Sequence, residues 1–128
     1  MNVDILEQTV TFLSSLGLGT PAVSLFAQTL PTTPANCTAL ILTGGPDLPG
    51  DPVRRPSMQV LHRNKESYNG LTAISSLHAA MADEWNKLPW PYAAGRFVSQ
   101  TEPGAYFRDS NSYFVYTLNF VFVTTKQQ

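Results

Sequence analysis

A chain of 128 residues, 43% hydrophobic and 13% charged, is long enough for one packed core and too apolar for a disordered segment, so a single domain over residues 1–128 is expected. Its formal charge of −1 leaves no overall basic excess for nucleic acid or an acidic membrane surface. The lone cysteine, Cys37, excludes an internal disulfide and a cysteine-built zinc cluster, and a reducing compartment is expected.

The first residues, MNVDILEQ, are acidic where a secretion signal would be basic, and no apolar run approaches the length of a membrane span. A soluble protein made inside the cell is the expectation. Val3, Leu6, Val10 and Leu13 recur at helical spacing, with Ile5, Phe12 and Leu16 widening the stripe and Gly17 as a stop, which predicts an opening helix over 3–16. VSLFAQT (23–29) and CTALILT (37–43) predict two consecutive strands joined by a turn through Pro31–Asn36. The second is apolar on both faces and belongs deep in a sheet.

The composition then changes. TGGPDLPGDPVRRP (43–56) holds four prolines and three glycines, which no helix or central strand tolerates. A loop of that length in a small domain is usually functional or mobile. It ends on adjacent Arg54 and Arg55. SMQVLHR (57–63) alternates Met58, Val60 and His62 against Ser57, Gln59, Leu61 and Arg63 and predicts a third strand. From Ser67 to about Lys87, Leu71, Ile74, His78, Met81 and Trp85 step by three and four, flanked by Tyr68 and Leu77. That predicts a second helix, weakened at Gly70 and stopped by Pro89 and Pro91 around Trp90. RFVSQTE (96–102) predicts a fourth strand. AYF (105–107) leads into the turn residues RDSNS (108–112), from which a long strand returns as the second arm of a hairpin. The expected fold is an α+β sandwich, with two helices packed on a largely antiparallel sheet that closes on a long C-terminal hairpin.

That last strand, YFVYTLNFVFV (113–123), is unusual. One face carries Phe114, Tyr116, Leu118, Phe120 and Phe122, and the other Tyr113, Val115, Thr117, Asn119, Val121 and Val123. Eleven residues reach about 36 Å, roughly the diameter of a compact chain of this size. Such a strand either crosses the whole domain as a long, bent core strand of one copy or overhangs it, and the expectation is that it overhangs and offers apolar surface to another copy.

Few residues carry chemistry. His62 lies in a predicted strand and His78 inside a helical stripe, and neither has a partner at metal-ligand spacing along its element. Asp83 and Glu84 point about 100° apart on one helix and cannot work as a pair. Cys37 has no local nucleophile signature. The segment TGGPDLPGD lacks the Lys-Ser or Lys-Thr pair and the following helix of a phosphate loop. The aromatic residues are not interleaved with basic ones as a single-strand platform requires. The reading is a protein without enzymatic activity or cofactor. Charge is split unevenly: residues 1–51 carry four acidic and no basic side chains, and the remainder carries eight basic against five acidic. Such a split suits head-to-tail contact between copies.

Two stretches, RRPSMQVLHRNKESYNGLTAISSLHAAM (54–81) and PGAYFRDSNSYFVYTLNFVFV (103–123), resemble the tail-terminator, or tail-completion, proteins of long-tailed bacteriophages, also described as minor tail or minor capsid proteins. The resemblance lies in an Arg-Pro entering the strand SMQVLHR, a helix starting near Tyr68, and a closing hairpin with Tyr116, Thr117, Leu118, Asn119 and Phe120 in its last strand. The Pro and Gly loop is richer in proline than that pattern. The resemblance implies a ring, commonly of six subunits, that caps the finished tail tube in the virion and meets the head connector, with DNA passing through its lumen. Assembly would take place in the host cytoplasm. On that model Phe114, Tyr116, Leu118, Phe120, Phe122, Tyr113 and Val115 are expected between subunits, and Arg54, Arg55, Gly44, Gly45, Asp47 and Asp51 at the axis or lumen. Two other readings remain at this point: a head-closure or neck component of the virion, and a small-ligand α+β domain with a pocket beneath the loop, which predicts that His62, Cys37 or a buried carboxylate converge.

Overall fold

The computed structural model describes residues 3–45, 49–50, 52–88 and 95–125. Helix α1 spans Val3–Ser15 and buries Ile5, Leu6 and Leu13. Thr9, also buried, satisfies its hydroxyl on the Ile5 carbonyl at 2.6 Å. The helix stops where its sequence says it should. Gly17 adopts φ +76°, its N–H bonds the Ser14 carbonyl, and the Leu18 N–H reaches back to Leu13, closing the last turn in a Schellman motif. Leu16, expected in the buried stripe, is instead exposed, because the chain has already left the helix there.

Strands β1 (Leu25–Ala27) and β2 (Cys37–Gly44) correct the expectation of two strands joined by a simple turn: they run parallel, Leu25 beside Thr38. A parallel pair needs its connection to double back, and residues 28–36 do so. Arg63, buried on the neighbouring strand, holds that connection through the backbone carbonyls of Pro31, Pro34 and Ala35. Strand β4 (Ser57–Asn64) pairs antiparallel with β2, and the two-residue β3 (Val53–Arg54) precedes it inside the Pro and Gly segment.

Helix α2 (Ser67–Ala79) continues through a π turn (Ala80–Glu84) and a 3-10 turn (Trp85–Lys87). Its buried line is Gly70, Ile74, Leu77, Ala80, Met81 and Trp85. Leu71 and Tyr68, expected on or beside that line, face solvent. The helix crosses the sheet closely at Gly70, where a Cβ would lie 2.6 Å from the Tyr116 ring. Pro89, Trp90 and Pro91, read as its stop, lie outside the described residues. Strands β5 (Gly95–Ser99), β6 (Tyr106–Arg108) and β7 (Phe114–Thr125) follow. The β6–β7 hairpin turns on Asp109, whose carboxylate accepts the N–H groups of Asn111 and Tyr113.

All seven strands form one sheet, antiparallel apart from β1 against β2. Val121 pairs with both Ser57 and Val98, and Tyr116 with both His62 and Tyr106. Strands β3 and β4 therefore line one side of β7, and β5 and β6 the other. This explains the length of the last strand: it is the spine on which four shorter strands are laid end to end in pairs.

Both helices cover the same sheet face, α1 over β1 and β2, α2 over β4 and β7. Between them lies the core of Leu25, Leu40, Met58, Val60, Leu118, Phe120 and Phe122. Trp85 joins the layers, with the rings of Phe12 and Phe97 each 5.2 Å away at steep angles. Its indole N–H bonds the Gly95 carbonyl at 3.0 Å. Among the described residues no helix is long and apolar enough to cross a membrane.

Candidate functional site

The expectation that the apolar face of the last strand lies between subunits is corrected by where the side chains sit. Val115, Tyr116, Leu118, Phe120 and Phe122 are all at most 3% exposed within one copy. Leu118 and Phe120 face Val60 and Met58 across the ladder, and the Tyr116 hydroxyl donates to the Ser67 carbonyl at 2.8 Å. The surface that sequence length suggested was spare is the chain's own core. Phe114 and Tyr113 are half-buried at the turn end of the hairpin.

Exposed apolar surface lies elsewhere. Tyr106 and Phe107 on β6 are 52% and 53% exposed, and Val98 on β5 is 50% exposed. Tyr106 shares the helix side of the sheet with its partners: its ring centroid is 5.3 Å from Tyr116 and 5.5 Å from Phe114. Beside it, Arg108 lies over the Phe114 ring at 4.5 Å and donates through Nε and Nη2 to the Ser112 carbonyl. At the opposite margin, α1 and β1 enclose a groove of about 410 Å³ lined by Glu7, Thr11, Pro21, Leu25, Phe26 and Ala27. A second hollow of about 340 Å³ continues it along α1 past Glu7 and Thr11 to Phe12 and Trp85. Sequence reasoning passed over both surfaces. AYF read as the approach to a turn, and nothing local to Glu7 marks it as the wall of a groove that β1 completes from a distance.

The Pro and Gly segment is pinched at its base. Gly44 pairs with Ser57, and Gly45, at φ +126°, leaves no room for a Cβ against the Arg55 carbonyl. Arg54 is half-buried on β3 opposite Thr124, and Arg55 is exposed. The stem thus gathers Gly44, Gly45, Arg54 and Arg55. Asp47 and Asp51 lie outside the described residues.

The groups with potential for chemistry are held apart. His62 is buried, and burial pushes its pKa down to about 4. The Asn64 side-chain carbonyl accepts the Glu66 N–H, so its amide donates to His62 Nε2 at 3.2 Å, and Nδ1–H is left to donate to Thr38 Oγ1 at 2.9 Å. The ring is neutral and fully satisfied. His78 bonds Ser99 Oγ at 3.0 Å. Cys37 is buried on the opposite sheet face from His62, and burial raises its thiol pKa against a smaller opposing effect of the Arg63 charge. The polar side chains seen buried are those of Thr9, Thr38, His62, Arg63 and Asn64, and among the described residues no group of three His, Cys, Asp or Glu approaches metal-binding geometry.

Comparison with curated proteins gives no match. A family model described as bacteriophage tail terminator protein matches residues 12–126. The match contains both stretches on which the resemblance rested, and runs from within α1 to the end of β7. The chain therefore belongs to the bacteriophage tail terminator family and is a structural protein of the phage tail.

Proposed function

We propose that residues 1–128 act as one domain that assembles head to tail into a ring, of six copies in the family pattern, capping the tail tube and joining it to the head connector. The observation that carries this reading is the family match over nearly the whole chain, taken with two unlike exposed surfaces at opposite margins of one sheet. A ring closed by rotation needs such a pair, because each copy meets its two neighbours through different faces. DNA passes through the lumen without sequence-specific contact, consistent with a net charge of −1. Gly44, Gly45, Arg54 and Arg55, together with Asp47 and Asp51 of the same sequence segment, are the axial or lumen contacts of this reading. The protein is not an enzyme and needs no cofactor.

Phage particles grown without this protein test the reading. Terminator function predicts tails of abnormal length that fail to join heads. Tails of normal length accompanied by unjoined, leaking heads would instead assign the protein to the neck, the neighbouring position in the same junction.

A further inference from the structure

We propose that the contact between copies seats the β6 arm of one subunit in the groove between α1 and β1 of the next, with Tyr106 entering the groove and Arg108 pairing with Glu7. This rests on the ring reading and names the surfaces that would build it. The two surfaces lie at opposite margins: four strand steps separate β1 from β6, about 19 Å across the sheet. They also lie in the same layer. Tyr106 and Arg108 pair with Tyr116 and Phe114 on the helix side, and α1 forms the groove wall on that side. Rotation about a ring axis brings the helix layer of each copy to the same level, so the two surfaces meet without inversion.

The chemistry of the two surfaces matches. The Ser112 carbonyl and the Phe114 ring hold the Arg108 guanidinium in place through Nε and Nη2, and among the described residues no carboxylate pairs with it. Glu7 is exposed in the groove and likewise has no ion pair among them. An opposite charge held ready on each side is what fixes register between partners.

Backbone geometry selects β6 over its neighbour. The Ala105 carbonyl accepts the Thr117 N–H, and the Asp109 N–H donates to the Tyr113 carbonyl. Alternation along an antiparallel ladder then turns the backbone groups of Tyr106 and Arg108 outward. At β5 the corresponding edge is closed: Asn86 donates to the Phe97 carbonyl and accepts the Phe97 N–H, both at 3.0 Å.

Charge reversal and crosslinking on the full chain test this. Glu7→Arg alone is expected to weaken self-association, measured by sedimentation velocity, by about tenfold or more. Combining it with Arg108→Glu should recover most of that loss. Because Arg108 also braces its own turn, a second measurement avoids it. A Thr11→Cys, Tyr106→Cys double variant treated with a short bismaleimide should give a ladder of linked copies on a denaturing gel, while each single variant stays monomeric; native Cys37 is buried. Rings that persist unchanged with Glu7→Arg, or a double variant that assembles without a ladder, would overturn the contact and leave the ring reading standing. If the unaltered protein forms no ring, alone or on tail tubes, the ring reading fails and the contact falls with it.

Discussion

His62 has partners whose other bonds leave it one tautomer, and this makes its protonation costly. The Asn64 amide N–H points at Nε2, so adding a proton there sets donor against donor as well as burying a charge. The folded chain holds the ring at about 4 against 6.5 for an unperturbed histidine. The folded state therefore favours the neutral ring, and its advantage is complete above pH 6.5 and declines as pH falls toward 4. The expected loss across that window is on the order of 3 kcal/mol. Denaturant titrations at several pH values check it, with His62→Gln expected to flatten the slope. Gly70 makes a second prediction. It read as a weak point of the helix, yet its missing Cβ is what admits the Tyr116 ring. Gly70→Ala gains helix propensity of at most about 1 kcal/mol and meets overpacking of about 1–3 kcal/mol, so a net loss of about 1 kcal/mol is expected in equilibrium unfolding.

At the scale of elements, the edge of β5 is protected by a side chain. Asn86, on the 3-10 turn after the π turn, supplies a donor and an acceptor to Phe97 as another strand would. Asn86→Leu should leave those two backbone groups unpaired, lowering stability by about 1–3 kcal/mol and increasing light scattering on heating as the edge becomes free to pair with other chains. The secondary structure around it was largely legible. The period of two in 113–123, the Asp-Ser-Asn turn before it and the helical stepping from Ile74 to Trp85 each described a real element. The parallel pairing of β1 with β2 was not, because Pro31–Asn36 carries ordinary turn residues and the Arg63 clamp that returns this segment comes from 28 to 32 positions away. Local pattern holds no record of such a bond.

For the molecule as a whole, the length of β7 was legible but its meaning was not. Twelve residues in a strand measure only extension. Whether the excess is sheltered by another copy or by the chain itself depends on how many strands share the spine, and β3, β4, β5 and β6 all do. The family was legible from RRPSMQVLHR and the closing hairpin, because those residues set the centre of the sheet. The proposed contact surfaces were not, since β6 becomes a margin and Glu7 a groove wall only after the strand order is fixed. Cryo-electron microscopy of tails ending in this protein would image the ring and its subunit contact together. A closed ring around an open channel is expected, with the β6 margin of each subunit against α1 and β1 of the next. A solitary copy on the tube end, or a ring in which both margins face solvent, would contradict it.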